Sequence, residues 1–434
     1  MTEAAMSPGA GLKMRWGRLL ALILLVLLAI AGGIAAYVFR PVAVAVPAAL
    51  ETQGGGVAQG EYLATIGNCA ACHTAPGGTA FAGGVKFKTP FGTLYSTNIT
   101  PHRENGIGEW TYAQFHAAMK HGLRPDGAHL YPAFPYTSFA RMTDTDIASL
   151  YLYFRSIPAV AQKNRANDMD FPFGNRALLY FWNRLFHDSG SYQPDETLSA
   201  QWNRGGYLVE AITHCGACHT PRNMLGAPDE GNALHGGIYV DQVANGAYRQ
   251  WAAVDLTPGA HGLNDWSAKD FTGYLLDGKN PHTVVHGPMT EVFESTRKLT
   301  RPDAAAIATY LRGSEPSSAR IDWSMLRSRV DEGEIVYTVH CGTCHLPTGK
   351  GDRILGVPLA NNPIVQAEDP SSLINVILYG PDLPPPPFAS NRTTMKPFGK
   401  RLSDEDVAAV ATYLRSSFGN NAPQVSPDQV RQQR

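Results

Sequence analysis

One five-residue frame occurs three times in this chain: Cys69-Ala-Ala-Cys72-His73, Cys215-Gly-Ala-Cys218-His219 and Cys341-Gly-Thr-Cys344-His345. The frames use all six cysteines, so no thiol pair is left for an independent disulfide. Two cysteines separated by two residues and followed at once by histidine read as c-type haem attachment. The spacing follows from the chemistry. The thiols add across the two vinyl groups of the porphyrin, and the adjacent histidine comes to lie beneath the iron as proximal ligand. A zinc site would want a second ligand pair for each CxxC, and a thioredoxin-type dithiol belongs in a βαβ pattern. The sequence therefore predicts three covalent haem c groups. Cys69, Cys72, Cys215, Cys218, Cys341 and Cys344 form the thioethers, and His73, His219 and His345 bind iron.

The repetition extends beyond the cysteines. Ahead of each frame lies a segment with Gly and Tyr: Gly60-Glu-Tyr62, Gly206-Tyr207, and Gly333 with Tyr337. Behind each lies a Ser/Thr cap with an acid three positions on, at Thr143/Asp146, Thr300/Asp303 and Ser403/Asp406. That pattern opens a helix. In these closing helices Tyr153, Tyr310 and Tyr413 occupy one position, and Arg155, Arg312 and Arg415 another. The first two units also share a Thr-Pro loop, ending at Pro101 and Pro258, before Trp110 and Trp266. Each unit is predicted to begin and end with a helix, at 55–160, 200–315 and 325–420. The connector 161–199 holds the apolar run Ala177–Phe186, too apolar for a free linker and predicted to be a short helix packed between domains. Docking of this run to a partner or a membrane surface is the weaker reading. Residues 421–434 read as a frayed tail.

The sixth ligand decides whether an iron carries electrons or binds other molecules. Met395, after Pro384-Pro-Pro-Pro387, and Met289, in His286-Gly-Pro-Met289, both lie in loops just upstream of a closing helix, and are assigned as distal ligands. Core packing is the commoner role for one methionine, but the shared placement favours ligation. In unit one Phe134 stands where methionine is expected. Met119, His129, Met142 and an open iron remain as alternatives there, with Met142 matching Leu299 and Leu402 as a hydrophobic staple. The proximal histidines are expected to donate their second ring nitrogen to a backbone carbonyl, with Pro76, Pro221 and Pro347 as the nearest candidates. Arg222 could pair with a haem propionate or be simply solvated.

The stretch from Leu19 to Phe39 carries no charge and follows Lys13, Arg15 and Arg18. It is long enough to span a bilayer, which takes about 20 residues. The flanking basic residues hold residues 1–18 in the cytoplasm and export everything after Arg40. A signal peptide cleaved near Ala43-Val-Ala45 is the competing reading. Either way the haem units are exported. With 36 basic and 37 acidic residues there is no basic field for nucleic acid. No nucleotide loop, GxSxG or flavin fingerprint is present, so no separate catalytic machinery is expected.

The strings GEYLATIGNCAACHTAPGG, TPFGTLYSTNITP with GIGEW, LYPAFPYTSF, HCGACHTPRN and HGPM resemble the triheme cytochrome c subunits of bacterial membrane-bound dehydrogenases. These include subunits of the alcohol, aldehyde, gluconate and isoquinoline/nicotinate types. The resemblance covers roughly residues 55–420. It implies a mainly α fold, with three tandem class I cytochrome c domains after one N-terminal transmembrane helix at 19–39. It also implies a periplasmic electron-transfer subunit on the bacterial inner membrane, taking electrons from a catalytic dehydrogenase to ubiquinone or a terminal oxidase. It supports the nine CxxCH residues with Met289 and Met395, and leaves the distal side of haem one unassigned because of Phe134. Two other functions compete: a haem enzyme using an open haem one, and a cytochrome subunit of a terminal oxidase.

Overall fold

The computed structural model describes residues 10–38, 40, 55–242, 248–259, 261–313, 330–352, 355–384 and 394–434. They are mainly helical. The expected membrane span at 19–39 runs partly outside the described side chains. Among the described residues no helix is long and apolar enough to cross a membrane. The first helix, Ala10–Val38, leaves its described leucines open, Leu25 at 64% exposure.

Each unit opens with a helix, Val57–Ile66, Ala200–Tyr207 or Val330–His340, and closes with a 13-residue helix, Asp144–Ser156, Arg301–Gly313 or Asp404–Ser416. The caps form as the sequence predicts. Thr143, Thr300 and Ser403 side chains accept from the backbone N–H of Asp146, Asp303 and Asp406.

Opening and closing helices cross at backbone contact, which only glycine permits. A Cβ on Gly60 would lie 2.0 Å from Ser149 O, one on Gly205 2.0 Å from Ala306 O, and one on Gly333 2.2 Å from Ala409 O. Beside each glycine stands the repeated tyrosine, Tyr153, Tyr310 or Tyr413. Gly205 therefore holds the crossing position in unit two, rather than Gly206. The π-turn Leu208–Ile212 accommodates the extra residue between that glycine and its haem motif.

Units one and two share a single core, in which Leu63, Ile147 and Leu150 meet Leu208, Ile212 and Ile307, whereas unit three has its own around Ile374, Leu378 and Val410. The pairing of the first two is reciprocal, as in a two-fold dimer. Tyr62 donates to Asp303 Oδ2 at 2.7 Å, and Tyr207 donates to Asp146 Oδ2 at 2.5 Å. Each tyrosine hydroxyl also accepts the backbone N–H of the opposite cap, Thr300 or Thr143. The capping acids thus join the two units as well as starting helices.

Two small hairpins interrupt the helices: Lys86–Thr89 with Gly92–Tyr95, in register Phe87↔Leu94, and Gly237–Gln242 with Tyr248–Ala253, in register Tyr239↔Trp251. The connector returns to unit one, where Asp168–Met169 pairs with Gly92 and Thr93. Its run Ala177–Phe186 is a helix, as expected. Lys120, almost fully buried, donates to Ala140 O, Met142 O and Ser191 Oγ, tying connector to domain. The expected frayed tail is instead ordered. Pro427–Gln433 is a helix with a Ser426/Gln429 capping box and a fully buried Val430. Its end is held where Arg434 donates to Asp404 and Leu402 O.

Candidate functional site

The CxxCH frames lie on short helical turns, Cys69–His73, Gly216–His219 and Gly342–His345, directly after the opening helices. In all three the histidine Nδ1 meets a backbone carbonyl: His73 with Thr97 O at 2.7 Å, His219 with Val254 O at 2.7 Å, His345 with Val357 O at 2.8 Å. A carbonyl can only accept, so Nδ1 carries the proton and Nε2 keeps its lone pair. This is the tautomer a metal-binding imidazole needs, with the ring held by its second nitrogen. Burial lowers the pKa of all three histidines and keeps them neutral.

The acceptors are not the prolines nearest in sequence. Pro76, Pro221 and Pro347 follow the motif within its own loop, whereas Thr97 and Val254 open the Thr-Pro loops ending at Pro101 and Pro258. The signal was available, because these loops superpose between units. In unit three the shorter segment Gly356-Val-Pro supplies the equivalent carbonyl.

The approach to the first attachment turn is held by unit two, through Ser295 of the Met289–Thr296 helix and His214 just ahead of the second turn. Ser295 donates to Asn68 Oδ1 at 2.6 Å, and His214 Nε2 lies 3.2 Å from Gly67 O. Two indole donors, Trp251 Nε1 and Trp266 Nε1, are buried without an acceptor among the described residues. Orphaned donors of this kind fit the acidic edge of a porphyrin. Arg222, in contrast, gives Nη1 to Gly226 O and Nη2 to Ala217 O, folding back on its own loop.

Met289 begins the helix Met289–Thr296, half-buried. Its loop is clamped by the third unit, where Asp382 O accepts from Gly287 N and Thr290 Oγ1. Gly287 has φ +56°, and a Cβ there would sit 2.8 Å from the Trp251 ring. Met395 is half-buried in the stretch before the last closing helix, and most of the proline run ahead of it, from Pro385, lies outside the described residues. In unit one, Met119 and Met142 are buried in the core against which Cys69 and Phe134 pack. His129 turns elsewhere. Its ring meets Tyr180 edge-on at 4.5 Å, in a cavity lined also by His121, Asn183 and His187.

Residues 57–158 match the cytochrome c family model, and residues 328–414 match the model for cytochrome c oxidase, cbb3-type, subunit III. The cytochrome c subunit of the quinone-type alcohol dehydrogenase of Gluconacetobacter polyoxogenes is 39% identical over 85% of this chain and 81% of its own length. The chain belongs to the cytochrome c subunits of membrane-bound dehydrogenases. The gluconate 2-dehydrogenase cytochrome c subunit of Pantoea cypripedii is 38% identical over 84% of this chain and 86% of its own. A nicotinate dehydrogenase component of Pseudomonas putida is 42% identical over 84% of this chain, which spans only 30% of that longer protein. As a cytochrome c subunit the protein carries covalently bound haem c and transfers electrons within a dehydrogenase complex, without being its catalytic subunit.

Proposed function

We propose that this cytochrome subunit carries three haem c groups. They pass electrons from a catalytic dehydrogenase partner to ubiquinone or a terminal oxidase, at the periplasmic face of the bacterial inner membrane. The observation carrying the count is the histidine–carbonyl pair, repeated in all three units within 0.1 Å, from 2.7 to 2.8 Å. His73, His219 and His345 would hold the three irons, with Met289 and Met395 as further ligands in units two and three. Haem supplies a one-electron iron couple, and methionine as sixth ligand raises its potential. The protein residues keep each imidazole neutral and aimed. For the first haem we favour Met119 over His129, because Met119 shares the apolar core beside Cys69 while His129 faces the histidine cavity.

The helix Ala10–Val38, whose apolar run follows basic residues, is proposed as the membrane anchor. Its support is that uninterrupted run and the exposed leucines, which lie outside both described cores. The catalytic partner would oxidise an alcohol, an aldehyde or a related substrate; the relatives named for alcohol and gluconate support that class.

The mature chain should weigh three porphyrin increments more than its polypeptide and give a pyridine-ferrohaem spectrum of matching intensity; two increments would reject the count. Affinity purification from solubilised membrane should bring down a large dehydrogenase whose substrate reduces the haems without added mediators. The cbb3-type match at 328–414 favours a second reading, a terminal-oxidase subunit. Co-purification with copper and b-type haem, and no dehydrogenase, would establish that reading. Carbon monoxide binding to the reduced protein would instead support an open first haem.

A further inference from the structure

The connector helix Ala177–Phe186 has two faces of different fate. Leu179 and Asn183 are buried against unit one, each 8% exposed. Leu178, Phe181 and Leu185, at i, i+3 and i+7, are 40%, 39% and 69% exposed. That is an apolar stripe on the outer side of an amphipathic helix. Beside it lie Met224 and Leu225, 96% and 55% exposed, in the loop where Leu225 O accepts from Trp182 Nε1. This contiguous apolar surface exceeds the scattered single residues normal for a protein exterior.

The position of the helix identifies what covers it. Arg184 donates to Arg40 O at 2.8 Å, and its guanidinium lies 5.5 Å from the Tyr37 ring. The connector helix is therefore seated at the end of the first helix, where the apolar run stops. We propose that Leu178, Leu185, Met224 and Leu225 dip into the outer leaflet of the bilayer, so that the connector lies on the membrane surface. The first helix is thereby held in a fixed direction relative to the haem units. The chemistry is that of an interfacial helix: apolar side chains reach the acyl boundary, while Arg184 stays at headgroup level. This inference rests on the anchor reading above.

The test uses the full-length haem-loaded chain in vesicles of phosphatidylethanolamine and phosphatidylglycerol. With the six native sulfurs held as thioethers, a nitroxide can be placed on one added cysteine: Leu185→Cys, Leu178→Cys, Leu24→Cys in the first helix, or Asp188→Cys as an aqueous control. Haem content checks that each variant is folded. Collision with oxygen, which partitions into lipid, is compared with collision with a water-soluble nickel chelate. At positions 185 and 178 the oxygen-to-nickel ratio should exceed that at 188 several-fold and approach that at 24. A lipid-like signal at 24 with a water-like one at 185 would overturn the inference and leave the anchor standing. Water-like signals at both would overturn both. Loss of both collision partners at 185 would mean that a protein covers the stripe, and would equally reject a lipid surface.

Discussion

The reciprocal contacts between the first two units are unequal, and the inequality is measurable. Asp303 accepts two hydrogen bonds from Arg204, at 2.8 Å to Nε and 2.9 Å to Nη2, and a third from Tyr62 at 2.7 Å. Its pseudo-symmetric counterpart Asp146 is bonded by Tyr207 at 2.5 Å and by Gln59 at 3.4 Å, with no arginine among the described residues. Asp303→Asn removes the charge and turns an amide N–H₂ toward a guanidinium. Hydrogen bonds to a charged group contribute about 1.5–3 kcal/mol each. Arg204 is 35% exposed and Asp303 12%, so water recovers part of that loss. The net cost is about 2–3 kcal/mol. At about 2–4 °C per kcal/mol for a unit this large, Tm falls by roughly 4–12 °C. Asp146→Asn should cost clearly less.

The pH dependence carries a second signature. Burial alone would raise the Asp303 pKa, but the hydrogen bonds from Arg204 and Tyr62 hold it below the usual carboxylate range. A carboxyl whose folded pKa is depressed adds stability above its unfolded pKa, about 3.9, and loses it as pH falls through the lower folded value. The variant should therefore show a flatter acid limb than the parent. Circular dichroism in the Soret region is the assay, since the haem stays attached and reports packing around it. If Asp303→Asn melts within about a degree of the parent and keeps its acid slope, neither the Arg204 pair within unit two nor the Tyr62 bond from unit one contributes, and the reasoning fails.

Met289→Leu and Met395→Leu should each weaken the red thioether-to-iron absorption of the ferric protein and lower one midpoint potential, with haem stoichiometry unchanged in the mass spectrum. Lys120→Met, which strips the Ala140 and Met142 carbonyls of a buried donor, should cost about 2–4 kcal/mol in urea titrations. Burial, followed by the neighbouring His187, depresses His121 and His129 to about 4 from 6.5. Between those values the unfolded chain binds more protons, so stability should fall as pH drops from 6.5 to about 4. Replacing both by glutamine should flatten that loss in urea midpoints taken at several pH values.

The CxxCH turns, the capped closing helices and the connector helix were legible because each depends on local chemistry: thiol spacing, an N-cap oxygen, an apolar face. What the sequence hid depends on non-local partners. Nothing near His73 names Thr97 as its acceptor; the repeated Thr-Pro loop was the one distant signal, and the two residues meet only after a hairpin folds between them. The tail looked loose because Gln and Arg dominate its composition. It is ordered because Val430 fits against the last closing helix, a fit that composition does not reveal. Tyr62 and Tyr207 were visible as a repeated feature, but a repeat within one chain does not say whether the copies stack or embrace.

They embrace, and this bears on electron transfer. Stacked in line, like beads, the units would set the distance between attachment turns by linker geometry. Here the connector is long enough to let unit two turn back on unit one, and each capping acid takes the other unit's tyrosine. The residues leading into the first motif turn thereby meet unit two, Asn68 at Ser295 of the Met289 helix and Gly67 at His214, just before the second motif. Tunnelling between cofactors is sensitive to small changes in separation, so a pair of thioether-anchored groups benefits from a shared rigid core more than from two mobile ones. The third unit, with its own core, is joined to the second through Asp382 at the Met289 loop. The duplicated pair thus shares one core, and the third unit docks beside the loop proposed to ligate the second iron.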